Sequence, residues 1–241
     1  LGGFSSIVAD GGLALRQRPG LTITSGNSLT TWTAIRSVEA ACAKHGFALA
    51  DCSVAVVGAS GAIGHALSLL CAERAAQLIL VGNPLATEAS LGKLREVADD
   101  CRRHVAARAA AGREFTPGTW AARIAGGGTS APRSEDMGMT ITTDIDQHLP
   151  QAHIVLSATS AVQPFIASRH LREGALVCDV SRPFNLAPDL AEQRADLRLL
   201  SGALLLPPPS SVLGHVEAPE RENALVSCAA ETIVLALSGY Q

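Results

Sequence analysis

Ser53-Val54-Ala55-Val56-Val57-Gly58-Ala59-Ser60-Gly61-Ala62-Ile63-Gly64 begins as a β-branched run and breaks into three glycines spaced three apart, just where a helical pattern starts. Val54, Val56 and Val57 predict a buried strand. Gly58 permits a sharp exit from it, Gly61 lets the backbone approach a pyrophosphate, and Gly64 lets the next helix pack closely on the sheet. That helix, over about Ala62 to Ala75, turns its free N–H groups and positive dipole end toward the glycine turn. Gly58, Ser60, Gly61, Ala62 and Ile63 are therefore expected to cradle the phosphates of a dinucleotide. The spacing is G-x-x-G-x-x-G rather than G-x-G-x-x-G, so context has to carry the reading. A second apolar run, Gln77 to Val81, supplies that context by closing a βαβ unit of about 30 residues.

Outward from this unit, strands alternate with helices. Leu29, Trp32, Ile35, Val38 and Cys42 recur at three- and four-residue steps and predict an amphipathic helix ahead of the first strand, with Asn27 or Ser28 as N-cap and Gly46 as its stop. Ala86 to Ala111 reads as one or two helices. Gly112 to Gly138, dense in Gly, Pro, Ser and Thr around Trp120, reads as a long loop. Met139 to Thr143, His153 to Ser157, Ala175 to Val180 and Leu197 to Leu205 supply further strands, with a helix near Ala167 to Arg172. Pro207 to Pro219 reads as a stiff connection, and Glu222 to Leu237 as a final amphipathic helix. The fold class is α/β, a doubly wound, mostly parallel Rossmann-like sheet with an N-terminal arm plus helix and a C-terminal helix. Three segments are expected: 1–50 as arm and helix, 51–205 as the dinucleotide-binding domain, and 206–241 as linker and helix carrying Cys228.

The 241 residues provide ample material for a core, and 47% hydrophobic with 3% aromatic content means that Ala, Leu and Val build it. A net charge of −3 offers no basic stripe for nucleic acid. Neither a bilayer-spanning apolar run nor a signal-peptide layout is present, so the composition points to the cytoplasm and away from a membrane. Cys42, Cys52, Cys71, Cys101, Cys178 and Cys228 lack C-x-x-C or metal-ligand spacing and read as reduced thiols, mostly small buried hydrophobes.

In an open parallel sheet the ligand crevice lies beyond the carboxyl ends of the strands. Besides the glycine turn, those ends are Gly82-Asn83-Pro84, Ser157-Ala158-Thr159-Ser160 and Asp179-Val180-Ser181-Arg182-Pro183, from which Asn83, Ala158 and Thr159 are expected to touch the cofactor. Gly82-Asn83 carries no acid to accept from a ribose 2′-OH or to repel a 2′-phosphate, which favours NADP(H). Lys93 and Arg95 are candidate phosphate partners or, equally, a solvated helix face. By composition Cys228 is a small residue on an apolar helix face. His215, in the preceding loop, is the nearest candidate base in sequence, and His65 follows the glycine turn directly.

Several separated pieces together resemble the long-chain fatty acyl-carrier-protein reductases, which form aldehydes for alkane biosynthesis. Leu1-Gly2-Gly3-Phe4-Ser5-Ser6-Ile7 is similar to that family's L-G-G-F-T-S-I, and Thr24-Ser25-Gly26-Asn27-Ser28-Leu29-Thr30 to its T-T-G-N-T-x-T. The residues from Val54 to Gly64 resemble V-A-V-V-G-A-T-G-D-I-G, and Cys228-Ala229-Ala230-Glu231 resembles the C-x-A-E of the helix bearing the family's nucleophilic cysteine. The resemblance implies reduction of an acyl thioester, carried by acyl carrier protein or CoA, through an acyl group on Cys228, with NADPH supplying the hydride. The chain departs from the family in lacking the region before L-G-G-F and the tail after the cysteine helix, as expected of a domain from a longer polypeptide. Gly82 stands where family members often carry arginine, and the segment from about Val97 to Gly138 is longer. Two other readings stand beside this one. A shikimate-dehydrogenase-like alcohol dehydrogenase needs a lysine and an aspartate in the preceding domain, and residues 1–50 offer only Lys44, at the wrong end of its helix. A non-catalytic NADP-binding module would bind the cofactor without turnover.

Overall fold

In the computed structural model, which describes residues 13–15, 20, 23–127, 138–209, 211, 218 and 221–239, the strand ahead of the glycine turn forms as Ser53–Val57 (β1) and is buried along its whole length. The helix Asn27–Lys44 (α1) precedes it. After β1 come Ala62–Arg74 (α2), Gln77–Val81 (β2), Thr87–Ala110 (α3), Trp120–Gly126 (α4), Met139–Thr142 (β3), Ile145–His148 (α5), Ile154–Ser157 (β4), Leu176–Asp179 (β5), Leu190–Gln193 (α6) and Arg198–Ser201 (β6). Leu204–Leu205 (β7), Leu225–Val226 (β8) and Ser227–Leu237 (α7) follow. By internal contacts the chain divides into two units, Ser37–Leu200 and the paired segments Leu1–Arg36 and Ser201–Gln241. The division falls inside α1.

The larger unit holds a six-stranded sheet in the order β3-β2-β1-β4-β5-β6, with parallel pairing from β3 through β5. This is the Rossmann order, in which the chain winds outward in both directions from the β1/β4 boundary. Register aligns the carboxyl ends in one row: Thr142 lies opposite Val81, Val81 opposite Val57, Val57 opposite Ser157 and Ser157 opposite Asp179. Alternation along each strand divides the core. Ala55, Val57, Ile79, Val81, Val155 and Val177 face one cluster with Leu149, Ile166 and Leu190. Removing each such Val or Leu from water contributes roughly 1.5–3 kcal/mol.

Buried Leu94, Val97, Ala98, Cys101 and Val105 recur at three- and four-residue steps along α3, which is why this segment is one helix rather than two. Buried Glu73 on α2 meets His104 of α3 at 2.6 Å and the Arg108 Nε at 3.4 Å. In the expected Gly112-to-Gly138 loop the structure has α4, whose Trp120 is fully buried and donates its backbone N–H to the Ala75 carbonyl at 2.8 Å. Thr119 caps α4 by accepting from the Ala122 N–H at 3.2 Å.

Other expectations are corrected. The helix expected near Ala167 to Arg172 is a single 3-10 turn, Ser168–His170, and the strand expected over Leu197 to Leu205 is two, β6 in the large sheet and β7 in an antiparallel pair with β8. The final helix begins at Ser227, because Leu225–Val226 is spent on that pair. Trp32, placed by periodicity on the buried face of α1, is 54% exposed, whereas Thr30, Thr31 and Thr33 are buried. The threonines can be buried because each hydroxyl donates to a carbonyl one turn back: Thr30 to Gly26 at 2.8 Å, Thr31 to Asn27 at 2.7 Å and Thr33 to Leu29 at 2.8 Å. Most of residues 1–26 and of the Pro207-to-Pro219 connection lie outside the described residues.

Candidate functional site

Two groups of candidate residues lie in separate units. In the sheet unit, Gly58 adopts φ +81° at the end of β1, and a Cβ there would sit 2.5 Å from the Ala158 carbonyl oxygen and 2.9 Å from the Thr159 methyl. The β1 and β4 exits therefore touch, which places Gly58 beside Ala158 and Thr159. A Cβ on Gly64 would meet the Gly58 carbonyl at 2.1 Å, so the close packing of helix on turn requires glycine. Gly61 is the N-cap of α2 and offers no side-chain cap, leaving the first-turn N–H groups turned toward the exposed Ser60, Gly61 and Ala62. The backbone fits a bound pyrophosphate in that the helix starts at a glycine with no side chain of its own capping the first-turn N–H groups.

At the end of β2, Asn83 is exposed, its N–H donating to the Ser90 Oγ at 2.8 Å and its Oδ1 accepting from the Leu85 N–H at 2.9 Å. A Cβ on Gly82 would overlap that Ser90 Oγ at 2.0 Å, so an arginine where the resembling family often has one would displace the Ser90 hydroxyl from the Asn83 N–H. Lys93 and Arg95 are exposed on α3, and the His65 Nε2 lies 3.1 Å from the Asp100 Oδ2 on α3.

Sequence reading missed the buried polar knot behind this crevice. The Asn185 Oδ1 gathers three hydroxyl donors, Ser157 at 2.9 Å, Thr159 at 2.6 Å and Ser181 at 2.8 Å. Asp179, at the end of β5, accepts N–H groups from Ser181 at 2.9 Å, Asn185 at 2.7 Å and Leu186 at 3.2 Å. Burial pushes the Asp179 carboxyl above its usual range, against those donors, which pull it down. The knot fixes the Ala158–Thr159 turn, since the Thr159 N–H also donates to the Ser181 Oγ at 3.0 Å. The one available sequence signal was Asn185, an amide between Phe184 and Leu186 six residues after the strand acid.

The cysteines sort by burial: Cys42, Cys52, Cys71, Cys101 and Cys178 are buried, and Cys228, in the second unit, is half-buried. Burial pushes the Cys42 thiol up to about 11 and those of Cys71, Cys101 and Cys178 to about 12, so they stay protonated and inert. Cys228 is the second residue of α7, and Gly26, at φ +71°, lies directly against it. Beside it, Ser227 and Thr33 are paired through their hydroxyls at 2.8 Å, and the Ser227 N–H donates to the Ala203 carbonyl at 2.8 Å. Glu231, three residues on, accepts from the Thr24 hydroxyl and from the Leu29 N–H. Gly26, Thr24 and Glu231 were not singled out as site residues; the signal was Glu231, the lone charge in an apolar helix. Asn27 or Ser28 was expected to cap α1, but Asn27 is already its first helical residue. His215, the candidate base, lies outside the described residues. Among the described residues no group of three or more His, Cys, Asp or Glu is placed to hold a metal, and no helix is long and apolar enough to cross a membrane.

Strand order and glycine turn define a Rossmann-type α/β protein. No family model matches the chain. Among curated proteins it is similar to the aminotransferase PigE of Serratia sp. (strain ATCC 39006), 28% identical over 244 residues that take in 98% of this chain and 24% of that protein. The chain thus spans about a quarter of the length of that relative. Among solved structures, a dipicolinate synthase chain from Bacillus halodurans is similar at 15% identity and a TM-score of 0.44, over 94% of this chain and 58% of that one. A glyoxylate reductase from Paecilomyes thermophila is similar at 12% identity and a TM-score of 0.38, over 98% and 68% of the two chains. Ornithine transcarbamoylase from Giardia lamblia gives 7% and 0.45, over 71% and 53%. Because these backbone likenesses are partial, the fold assignment stands on the strand order and register of this chain itself.

Proposed function

We propose that this chain reduces an acyl thioester, carried by acyl carrier protein or CoA, to an aldehyde, with Cys228 as nucleophile and NADP(H) as cofactor. The observation that carries the reading is the seat of Cys228: of six cysteines it alone is not buried, and it rests at the start of a helix against a glycine turn. The Cys228 sulfur attacks the thioester carbonyl carbon, a C–S bond forms to Cys228, and the carrier sulfur leaves as a thiol after taking up a proton. When bound, the reduced nicotinamide supplies a hydride to the acyl carbon. The C–S bond to Cys228 then breaks, the aldehyde departs and the thiolate is restored. Gly58, Ser60, Gly61, Ala62 and Ile63 hold the pyrophosphate, with Asn83, Ala158 and Thr159 along the crevice. The absence of an acid at Gly82-Asn83 supports NADP(H) over NAD(H).

Transamination is not carried over from the similar protein. A pyridoxal-phosphate enzyme holds its cofactor through a lysine, and the two lysines here, Lys44 and Lys93, are both exposed on helices. The test is intact-mass analysis of the protein incubated with acyl-CoA or acyl carrier protein thioester and no cofactor. An acyl adduct on Cys228 that NADPH then discharges as aldehyde is the expected result. Turnover without an adduct, or an adduct that persists in Cys228→Ala, overturns the reading.

A further inference from the structure

Glu231 lies three residues beyond Cys228 on α7, so the two side chains share a helix face, and a carboxylate so placed invites the role of general base. Its hydrogen bonds argue otherwise. One carboxylate oxygen accepts the Thr24 hydroxyl, and the other accepts the Leu29 N–H at 2.6 Å. Both oxygens are engaged by charge-assisted bonds to residues about 200 positions away in sequence. We infer that Glu231 is a positioning residue for Cys228, acting through the Thr24–Gly26 turn. The inference rests on the thiol reading above.

The relay can be followed atom by atom. Thr24 donates its hydroxyl hydrogen to Glu231, and its oxygen accepts the Gly26 N–H at 3.0 Å. Gly26 is the residue against which Cys228 rests, and its carbonyl accepts from the Thr30 N–H at 3.2 Å and hydroxyl at 2.8 Å. The turn is thereby fastened from both sides. Leu29 belongs to the first turn of α1, where Gly26 has no side chain to offer, so Glu231 supplies from another helix the cap that the local sequence lacks. One carboxylate thus fixes the turn, the start of α1 and the helix bearing the sulfur. Loosening it displaces the nucleophile without removing any reacting atom.

The test compares Glu231→Ala, Glu231→Gln, Thr24→Val and the double variant Glu231→Ala/Thr24→Val with the parent. Two rates are read: acyl-adduct formation at Cys228, and alkylation of Cys228 by iodoacetamide, followed by intact mass. Positioning predicts that Glu231→Ala slows acylation about 100-fold, as expected for an ångström-scale misplacement. The KM for the thioester and the affinity for NADPH should stay within about twofold, and the pH–rate profile should keep the parent's shape. Thr24→Val should do much the same, and the double variant should be no worse than the poorer single one, because both cut the same relay. Glu231→Gln, which keeps one acceptor, should fall between and serves if the alanine variant does not fold. Loss of one limb of the pH profile in Glu231→Gln would make Glu231 the base and overturn the inference, as would acylation at the parent rate or fully additive effects. If the parent forms no acyl adduct, the thioester reading fails. Alkylation then decides the inference alone: a change of about tenfold or more in Glu231→Ala supports it, and an unchanged rate overturns it.

Discussion

Gly26 and Cys228 are in direct contact: a Cβ built on Gly26 would lie 2.3 Å from both the Cα and the Cβ of Cys228. No side chain fits between the turn and the helix start. The φ of +71° at Gly26 makes the same demand from the backbone side.

Gly26→Ala therefore combines a left-handed backbone penalty with steric overlap, at a cost of about 2–4 kcal/mol. Thermal unfolding should show the loss, and acylation of Cys228 should slow more than NADPH binding weakens. An alanine variant with parent stability and parent acylation would mean the contact is not made.

Gly58→Ala should act on the cofactor instead. At φ +81°, a methyl 2.5 Å from the Ala158 carbonyl forces the β1 and β4 exits apart. The expected result is a weakening of NADPH binding by about tenfold or more, measured by titration of nicotinamide fluorescence, because misplaced backbone N–H groups no longer converge on the pyrophosphate. Acylation of Cys228 without cofactor should be nearly unaffected. The two glycine variants thus separate the two half-reactions of the proposed function.

Two histidines should make the protein acid-sensitive. The His153 Nδ1 accepts the Ser53 N–H at 3.1 Å, and the His170 Nδ1 accepts the Ala167 N–H at 3.0 Å, so both imidazoles must be neutral. Burial holds both below the usual imidazole value of 6.5. The unfolded chain then binds more protons than the native one in this window, so stability is full above about pH 6.5 and is lost as pH falls toward the depressed native values. The melting temperature should drop between pH 7 and 5, and His170→Asn, whose Oδ1 can replace Nδ1 as acceptor, should flatten part of that drop. A parent curve flat over that range would refute this.

Asp179 has the opposite sign. Its native value is raised, so the native state holds the proton more tightly, and its contribution declines as pH rises from the ordinary carboxylate value of 3.8 through the raised one. Asp179→Asn removes that titration but leaves one of the two acceptor oxygens. The variant should be less stable than the parent by about 1–3 kcal/mol at low pH, with the gap narrowing as pH rises. A widening gap would show that the carboxylate is favoured in its ionised form.

How much of this was legible beforehand follows the range of the interactions. β2 appears at the residues expected, Gln77 to Val81, and β1 within one residue of the valine run, because strand pattern and glycine punctuation are local signals. Trp32 was misplaced because hydrophobic periodicity cannot see that threonines bury well once their hydroxyls bond within the helix. The sixth strand was drawn too long because no local pattern distinguishes Arg198–Ser201 from Leu204–Leu205, which join different sheets. The capping error at Asn27 has the same origin, since the true acceptor, Glu231, is 202 residues away from Leu29.

By itself the amino-acid order determined the doubly wound sheet, the glycine turn between its first strand and helix, and the six cysteines among which the proposed nucleophile lies. Those depend on residue type, alternation and spacing within about thirty positions, which backbone stereochemistry translates directly into strand, turn and helix. Only the tertiary structure decided which of the six thiols is not buried, that Asn185 and Asp179 tie down the Ala158–Thr159 turn, and that Glu231 caps a helix about 200 residues away in sequence. Burial and long-range hydrogen bonding belong to the folded chain as a whole and have no signature in any one stretch of it.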